Sequence, residues 1–306
     1  MAKRKTGRDI HGILLLDKRL GVSSNRALQE VKHLFAANKA GHTGSLDPLA
    51  SGLLPICFGE ATKVSGFMLD DDKRYHVVVR LGMVTDTGDA EGQVIETRPI
   101  PTLTEENIQA CLRRFTGDID QVPPMYSALK HNGKKLYELA RQGKSVERKA
   151  RRITIYKINL LERDETCLTL DVWCSKGTYI RTLAEDIGEY LGCGGSVLAL
   201  RRLASGRFSI EQAKTIEQLQ AMTESELMAC LLPVDKPLDA MPVVDLSEEQ
   251  ALSISQGQRL IVNASFQGAV RMYSGRRFLG LGEMSLDGKL APKKLFHTSA
   301  SPHSEL

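Results

Sequence analysis

Residues 41–55, with the sequence GHTGSLDPLASGLLP, carry the side chains best suited to chemistry in this chain. Three glycines and two prolines fall within this stretch, so the sequence predicts a loop through which neither a helix nor a strand runs. Interleaved leucines predict that the loop is anchored on the core, a setting in which scaffolds present catalytic groups. Asp47 precedes Pro48, whose ring disfavours helical backbone at Asp47 and directs its carboxylate away from its own main chain. The structural alternative is an Asx turn at Asp47 that only stabilises a chain reversal.

A cationic partner keeps such a carboxylate ionised when it is removed from water. Arg181 follows Lys176-Gly177-Thr178 in the first turn of a predicted helix, where the helix dipole disfavours a positive charge. Its presence there indicates another purpose, and the best-placed partner for Asp47 is Arg181. The alternative partner is Glu185, one helical turn further on, in a surface ion pair that contributes little stability.

Other catalytic and cofactor motifs fail on their spacing. Gly143-Lys144-Ser145 ends like a phosphate-binding loop, but Glu138 stands where that motif requires its first glycine. The sequence has no C-x-x-C or H-E-x-x-H motif, and its seven histidines are isolated, so we expect no metal site and no cofactor. A nucleic-acid hydrolase would want clustered metal-binding acids, and the sequence has no such cluster.

The charge distribution favours a polyanionic partner. The net charge of the 306 residues is only +4, but nine lysines and arginines fall between residues 130 and 152 against two acids. Such a patch suits a nucleic-acid backbone, whereas the alternative is an ordinary solvated face. The residues that we assign to backbone contact are Lys130, Lys134, Lys135, Arg141 and Lys144.

The cysteines and the hydropathy pattern predict a cytoplasmic protein. Six cysteines are scattered along the chain without paired spacing, which is typical of reduced thiols rather than of a disulfide framework. No apolar stretch approaches the roughly 20 residues that a transmembrane helix needs. The basic N-terminus is not followed by an apolar signal core, so we expect neither secretion nor a membrane partner.

The elements that position these residues mix strands and helices without regular βαβ units. This order predicts an α+β domain on a mixed, mostly antiparallel sheet. Helices are predicted after the capping residues Ser23 or Ser24, Thr104 and Ser247, and after Thr178. Strands are predicted at 12–16, 56–58, 75–81, 153–160, 168–174 and 196–203, with a hairpin between 75–81 and 93–97.

The domain organisation follows from changes in composition. Prolines between residues 233 and 242 separate a helical stretch from short predicted strands at 258–262, 269–273 and 278–283. We therefore predict a catalytic domain over residues 1–235 and a small β-rich domain over residues 240–306. Residues 122–152 are predicted to be an excursion from the main sheet, because strand signals resume directly after them.

Residues 41–52, GHTGSLDPLASG, resemble the catalytic loop of the TruB-type tRNA pseudouridine synthases. The resemblance covers at least residues 10–210, and further motifs match in the family's order. These motifs are Leu16-Asp17-Lys18, Asp72-Lys73-Arg74-Tyr75, Thr85-Asp86, Pro124-Met125-Tyr126-Ser127-Ala128, Ser175-Lys176-Gly177-Thr178-Tyr179-Ile180-Arg181 and Leu200-Arg201-Arg202-Leu203. One departure is Arg19, which stands where the family usually has a proline.

The resemblance implies a cofactor-free isomerisation in which uridine 55 of the tRNA T-loop becomes pseudouridine. Asp47 is then the nucleophile, attacking either the sugar C1′ or the uracil ring. Tyr75 stacks on the uracil near the proton that leaves C5, and Arg181 pairs with Asp47. A protein that only binds or refolds tRNA is the alternative, and it would have no need of the Asp47 carboxylate.

The resemblance also implies how the substrate is held. His42 fills the space that the flipped nucleotide leaves, because chemistry on a stacked base demands its extrusion. Tyr179 and Leu200 line the pocket, and Lys18 supports it electrostatically. Residues 122–152 correspond to the family's tRNA-clamping insertion, and the C-terminal strands to its PUA-like RNA-binding domain. We expect the T-arm of tRNA as the partner of a monomeric enzyme.

Overall fold

The computed structural model describes residues 7–263 and 266–297. Its strands, in chain order, are β1 Gly12–Lys18, β2 Ala40–His42, β3 Ala50–Phe58, β4 Lys73–Leu81, β5 Met83–Thr85, β6 Val94–Thr97, β7 Gly117–Gln121, β8 Lys130–His131, β9 Lys134–Lys135, β10 Arg151–Arg163, β11 Cys167–Cys174, β12 Gly195–Ser205, β13 Phe208–Ser209, β14 Lys214–Thr215, β15 Val243–Asp245, β16 Leu260–Ile261, β17 Gly268–Ser274, β18 Arg277–Met284 and β19 Lys289–Leu295. Its α-helices are α1 Ser24–Leu34, α2 Ser65–Leu69, α3 Glu105–Arg114, α4 Leu136–Ala140, α5 Ile180–Tyr190, α6 Ile216–Gln220, α7 Glu224–Ala229 and α8 Glu248–Ser255. Short 3₁₀ helices cover Gly59–Lys63, Ile210–Gln212 and Lys236–Leu238.

Ten strands form one mixed sheet in the order β14-β1-β3-β12-β4-β11-β10-β7, with β2 beside β3 and β13 beside β12. The pairs β1–β14 and β3–β12 are parallel. The other neighbours in this sheet are antiparallel. This arrangement confirms the predicted α+β class with a mostly antiparallel central sheet.

Alternation and capping place the main elements where the sequence predicts them. Along β11 the side chains of Leu168, Leu170, Val172 and Cys174 are all buried, so this strand turns one face to the core. Ser23 caps α1 by accepting a hydrogen bond from the backbone N–H of Arg26 (3.1 Å). Capping boxes also open α3 at Thr104 and α8 at Ser247, as predicted.

The predicted loop at residues 41–55 is shorter than expected, since β2 and β3 occupy its two ends and only residues 43–49 are irregular. The prediction that no strand runs through this stretch was wrong, because β3 contains both Gly52 and Pro55. Gly52 has φ +102°, and a Cβ there would lie 2.3 Å from the carbonyl oxygen of Arg202 on β12, so glycine permits a close approach. Pro55 lies between the part of β3 that pairs with β12 and the part that pairs with β2. It stays in the sheet as the register partner of Leu15 on β1, and its carbonyl accepts from the Thr43 N–H (3.0 Å).

Three other local predictions differ from the structure. The strand at 93–97 forms its hairpin with β5, not with 75–81, because Gly82 (φ +77°) separates β5 from β4. Residues 59–69, where no element is predicted, contain a 3₁₀ helix and α2. The edge strand β7, with the sequence GDIDQ, was not predicted because only one of its residues is strongly apolar.

A second sheet, in the order β15-β17-β18-β19-β16, follows the proline-containing segment. It contacts the first sheet through a shared apolar cluster that includes Ile13 and Leu15 of β1 and Phe278 and Leu281 of β18. The sequence did not predict β15 or β19, and β16 is shorter than the predicted 258–262. The domain limits of 1–235 and 240–306 stay predictions, and residues 1–6, 264–265 and 298–306 lie outside the described part of the chain.

Two predictions about the whole chain can be compared with the structure. All six cysteines are free, and four of them are buried. Within the described residues, no helix is long and apolar enough to cross a membrane.

Candidate active site

The side chains of Asp47 and Arg181 form an ion pair, as the sequence predicts. The Asp47 Oδ2 atom lies 2.9 Å from Arg181 Nη2, although the two residues belong to the loop before β3 and to the first turn of α5. The Asp47 side chain is 49% exposed and the Arg181 side chain only 9%, so the carboxylate faces solvent over a buried cation. In the described part of the chain Arg181 forms no ion pair with Glu185, which was the alternative.

Arg181 is itself held from two directions. Its Nη2 atom donates to the carbonyl of Tyr126 (2.7 Å), at the start of the 122–152 insertion, and its Nη1 atom donates to the carbonyl of Thr87 (3.1 Å). Nη1 also lies 3.6 Å from a carboxylate oxygen of Asp89, which is 3% exposed. The guanidinium therefore has one orientation, fixed before any substrate is bound.

Sequence reasoning missed Asp89. Its carboxylate accepts from the Thr87 hydroxyl (2.7 Å) and from the Glu91 N–H (3.1 Å), which is the local pattern of an Asx turn. The sequence signal for such a turn is the same whether the carboxylate also reaches a buried arginine or not.

The environment of Asp47 shifts its pKa upward. Burial raises the pKa of this carboxyl, the positive charge of Arg181 lowers it, the charge of Asp89 raises it, and that of Lys18 lowers it. The net pKa lies above the ordinary value of an aspartic acid, because desolvation outweighs the two cations. A carboxylate that water solvates less well is a stronger nucleophile, so this environment favours attack by Asp47.

Lys18, at the end of β1, is 1% exposed and lies near this carboxylate. Burial lowers its pKa to about 8, while Asp47 and Glu91 act in the opposite direction. Its Nζ atom donates to the carbonyls of Arg19 (3.0 Å) and Val22 (2.7 Å), and thereby closes the turn after β1. These two hydrogen bonds hold the turn without the proline that the family usually has at position 19.

The Arg19 side chain points away from that turn and forms a bidentate ion pair with Glu30 of α1, at 2.8 and 3.1 Å. The departure from the family pattern thus leaves the position of Lys18 intact.

The four remaining predicted pocket residues lie on elements that border Asp47. Tyr75 on β4 and Leu200 on β12 both contact the two large apolar clusters that pack on the ten-stranded sheet. Tyr179 precedes α5, where its backbone exchanges hydrogen bonds of 2.8 and 3.1 Å with the Gln121 amide. The negative charge of Asp47 helps to raise the pKa of both tyrosines, although burial is the larger cause, so both hydroxyls keep their protons.

His42 ends β2, and its buried Nδ1 atom has no hydrogen-bond partner in the described residues. Burial lowers the pKa of this imidazole, and the charge of Arg202 lowers it further, which favours the neutral ring. A neutral, partly unsatisfied ring at the edge of the loop suits contact with a nucleobase.

A buried serine, which the sequence indicated only as a helix cap, anchors the loop beside Asp47. The Ser24 hydroxyl donates to the Leu46 carbonyl (2.9 Å) and accepts from the Leu46 N–H (2.7 Å). Both Ser24 and Leu46 are buried, so no water can replace these bonds without rearrangement. The position of Asp47 therefore depends on the start of α1.

We expect Ser24→Ala to lower the free energy of unfolding by about 1–3 kcal/mol, because it leaves two buried backbone groups without a partner. It should also slow catalysis by roughly tenfold, because the loop next to Asp47 loses its anchor. Urea unfolding and single-turnover rates measure the two effects. Ser23→Ala is the matched control, since it removes the α1 cap at a cost of about 1 kcal/mol but should leave the rate unchanged. Equal rates in the two variants would show that Ser24 does not help to position Asp47.

The five basic residues predicted to contact RNA lie apart from the Asp47 carboxylate, within the 122–152 insertion. The charged side-chain groups of Lys130, Lys134, Lys135, Arg141 and Lys144 form no ion pair within 4.0 Å among the residues that the structure describes. Lys135 and Arg141 flank the ring of Tyr137, each 5.4 Å from its centroid. Cations that are not paired within the protein are available to phosphates.

One cavity lies away from Asp47. It measures about 650 Å³, lies between α8 and the second sheet, beside Leu252 and Phe296, and contains none of the predicted site residues. Within the described ranges, no group of three or more His, Cys, Asp or Glu side chains could hold a metal ion.

Three family models match consecutive parts of the chain. Residues 32–180 match the TruB family pseudouridylate synthase (N-terminal domain), and residues 181–239 match the tRNA pseudouridylate synthase B C-terminal domain. Residues 242–296 match the C-terminal model of pseudouridine synthase II TruB. The first match contains the Asp47 loop, and it ends at the residue before Arg181.

Among solved structures, the chain is similar to one from a Cbf5-Nop10-Gar1 complex, with a TM-score of 0.71 and 24% identity over 94% of this chain and 85% of the other. Another similar structure is an H/ACA RNP bound to a substrate RNA containing 2′-deoxyuridine, with a TM-score of 0.70 and 23% identity over 97% of this chain and 92% of the other. At these identities the similarity is one of fold.

Relatives of similar length share half of the sequence. The tRNA pseudouridine synthase B of Chromohalobacter salexigens is 52% identical over 303 residues, which cover 98% of this chain and 99% of the relative. The enzyme of the same name from Mannheimia succiniciproducens is 53% identical over 299 residues, covering 95% and 98%. The chain belongs to the TruB family of pseudouridylate synthases.

Proposed function

We propose that this enzyme converts uridine 55 in the T-arm of tRNA to pseudouridine, with Asp47 as the nucleophile. The observation that carries the proposal is the Asp47 carboxylate, half exposed and 2.9 Å from the buried Arg181 guanidinium. The relatives that share half of the sequence carry the name tRNA pseudouridine synthase B, which supports tRNA as the substrate.

The proposed reaction exchanges one bond for another without redox change. Asp47 attacks the flipped nucleotide at C1′ or at the uracil ring, and the N1–C1′ bond breaks. After the uracil turns, a C5–C1′ bond forms and the bond between Asp47 and the nucleoside breaks, which returns the free carboxylate. C5 loses its proton and N1 gains one. Atoms and electrons balance within the nucleoside, so the reaction requires no cofactor or metal.

The remaining site residues bind and orient the nucleotide in this proposal. Tyr75 stacks on the uracil with its hydroxyl near C5, and Tyr179 and Leu200 close the pocket around the ring. His42 fills the gap in the base stack that the flipped nucleotide leaves. Arg181 and Lys18 supply the positive charge that keeps Asp47 ionised when the bound nucleotide removes it from water.

We further propose that the 122–152 insertion binds the tRNA backbone, and that the enzyme acts as a monomer in the cytoplasm. The carbonyl of Tyr126, at the start of this insertion, accepts a hydrogen bond from Arg181. This contact gives the RNA-binding segment a direct connection to the catalytic pair.

Changing Lys134, Lys135 and Lys144 together to Ala should weaken tRNA binding, because each lysine releases counterions when it meets a phosphate. The slope of log Kobs against log salt concentration should fall in magnitude by about 2 to 3. Filter binding over a range of salt concentrations measures this slope. A control with Lys39, Lys157 and Lys214 changed to Ala removes the same charge outside the insertion. An equal decrease in both variants would mean that net charge matters and the insertion does not.

Mapping the modified position tests the proposed function. Purified enzyme is incubated with an unmodified tRNA transcript, and pseudouridines are located by carbodiimide treatment and reverse transcription. We expect a single new stop, at position 55. Binding of the transcript without any new stop would instead support a protein that only binds or refolds tRNA, and a stop elsewhere would refute the assignment of the substrate position.

A further inference from the structure

Arg202 of β12 is the largest fully buried side chain in the described part of the protein, with an exposure of 1%. Unlike Arg181, it has no carboxylate within 4.0 Å among the described residues. Removing a guanidinium from water is costly unless other groups satisfy it. The contacts that compensate Arg202 therefore indicate what this arginine is for.

These contacts are two backbone carbonyls that bracket Asp47 in the chain. The Nε atom of Arg202 donates to the Leu53 carbonyl (2.7 Å), and its Nη2 atom donates to the Gly44 carbonyl (2.8 Å). Gly44 has φ +69°, and a Cβ there would lie 3.2 Å from Arg202 Nη1, so the loop fits tightly around the guanidinium. One side chain thus joins both ends of the segment that carries Asp47.

Arg202 also lies beside the strand that carries Tyr75. It is the register partner of Tyr75 on the neighbouring strand β4. Burial raises the pKa of Tyr75, whereas Arg202 lowers it through its positive charge and through a side-chain hydrogen bond. Burial lowers the pKa of His42, and the charge of Arg202 lowers it further. The guanidinium therefore interacts with Tyr75 on β4 as well as with the loop carbonyls.

We propose that Arg202 is a positioning residue, which fixes the Asp47 loop relative to Tyr75 by holding the Gly44 and Leu53 carbonyls in one fork. The inference rests on the proposed function, in which Asp47 attacks a nucleotide that Tyr75 holds. A displacement of about 1 Å between such groups costs roughly 100-fold in rate. Lysine cannot bond both carbonyls in this way, because an ammonium group lacks the planar, widely spaced donors of arginine.

Arg201 supplies a matched control. It is the adjacent residue of β12, but its side chain is 40% exposed and forms an ion pair with Asp17 at 2.6 Å. Arg201→Met thus makes the same chemical change on the same strand, away from the loop carbonyls. The pair is partly buried and Arg201 also contacts the Ser51 hydroxyl (3.4 Å), but it bonds neither loop carbonyl, so the rate should stay within about twofold of wild type.

The test compares Arg202→Met, Arg202→Lys and Arg201→Met in single-turnover reactions with saturating tRNA transcript, together with the affinity and stoichiometry of tRNA binding. We expect Arg202→Met to lose about 30- to 300-fold in rate and Arg202→Lys at least about tenfold. Both should bind one equivalent as wild type does, with Kd within about threefold. A purely structural role would instead lower the fraction of enzyme that binds tRNA and leave the rate of the bound fraction unchanged.

If Arg202→Met does not fold, Arg202→Lys carries the test, because it keeps the charge and most of the volume. Wild-type rates in Arg202→Lys, or equal losses in Arg201→Met and Arg202→Met, would overturn the inference. Asp47→Asn in the same assay separates the two claims. An inactive Asp47→Asn beside a fully active Arg202→Met overturns the role of Arg202 alone, whereas an active Asp47→Asn overturns the proposed function and the inference with it.

Discussion

Asp47→Asn should lower the single-turnover rate at least about 10³-fold, while tRNA affinity stays within about threefold of wild type. An amide has the size and most of the hydrogen-bonding capacity of the carboxylate, so the pocket and its contact with Arg181 are expected to persist. It lacks the negative charge and the nucleophilic oxygen on which the proposed reaction depends. The rate is measured by tritium release from tRNA labelled at uracil C5.

Asp171→Asn is the control for this substitution. Asp171 lies on β11 and forms an ion pair with Arg74 at 2.8 Å, and neither residue belongs to the Asp47 pocket. Its rate should match wild type. Turnover by Asp47→Asn at the wild-type rate would end the assignment of Asp47 as the nucleophile.

Arg181→Lys and Arg181→Met should change the pH dependence of the reaction as well as its rate. Asp47 must be ionised to attack, so activity is present above its pKa and is lost as the pH falls through that pKa. Burial raises this pKa and Arg181 lowers it, so the pKa rises further when the arginine is removed. The acid limb of the rate profile should therefore move to higher pH, further in Arg181→Met than in Arg181→Lys.

Single-turnover rates over a pH series that extends below the acid limb of the wild-type enzyme measure this shift. The maximal rate should also fall by roughly 100-fold or more in Arg181→Met, because Asp47 loses the partner that orients it. Arg181→Met also leaves the buried Asp89 without its cation, so stability must be checked by thermal unfolding. An acid limb that stays in place, or moves to lower pH, would contradict the proposed electrostatic role.

The pairing of Asp47 with Arg181 was predictable from local features of each residue. Asp47 precedes a proline that directs its carboxylate away from its own main chain, and Arg181 stands at a helix N-terminus where the dipole opposes it. Arg202 breaks no such rule in the sequence. Register shifts near Val197 and Arg202 disturb the alternation of β12, so the sequence does not reveal which of two adjacent arginines is buried.

Predictions of the fold succeeded where the apolar periodicity is clear, as in α1, α3, α5 and β11. They failed at Gly52 and Pro55, two breaker residues that the structure keeps inside β3. In the sequence, Gly52 and Pro55 both indicate a loop. In the sheet, Pro55 lies where the neighbour of β3 changes from β12 to β2, and Gly52 lies where β12 approaches β3 closely. Such positions are defined by strand order, which local sequence does not encode.

The most direct test of the central claim is C5 tritium release from two uridine-labelled tRNA transcripts that differ only at position 55. With the wild-type enzyme, we expect the transcript with uridine 55 to release the tritium of a single uridine. The transcript with cytidine at that position should release none above background. Equal release from both would show that the enzyme does not act at uridine 55, and would contradict the account.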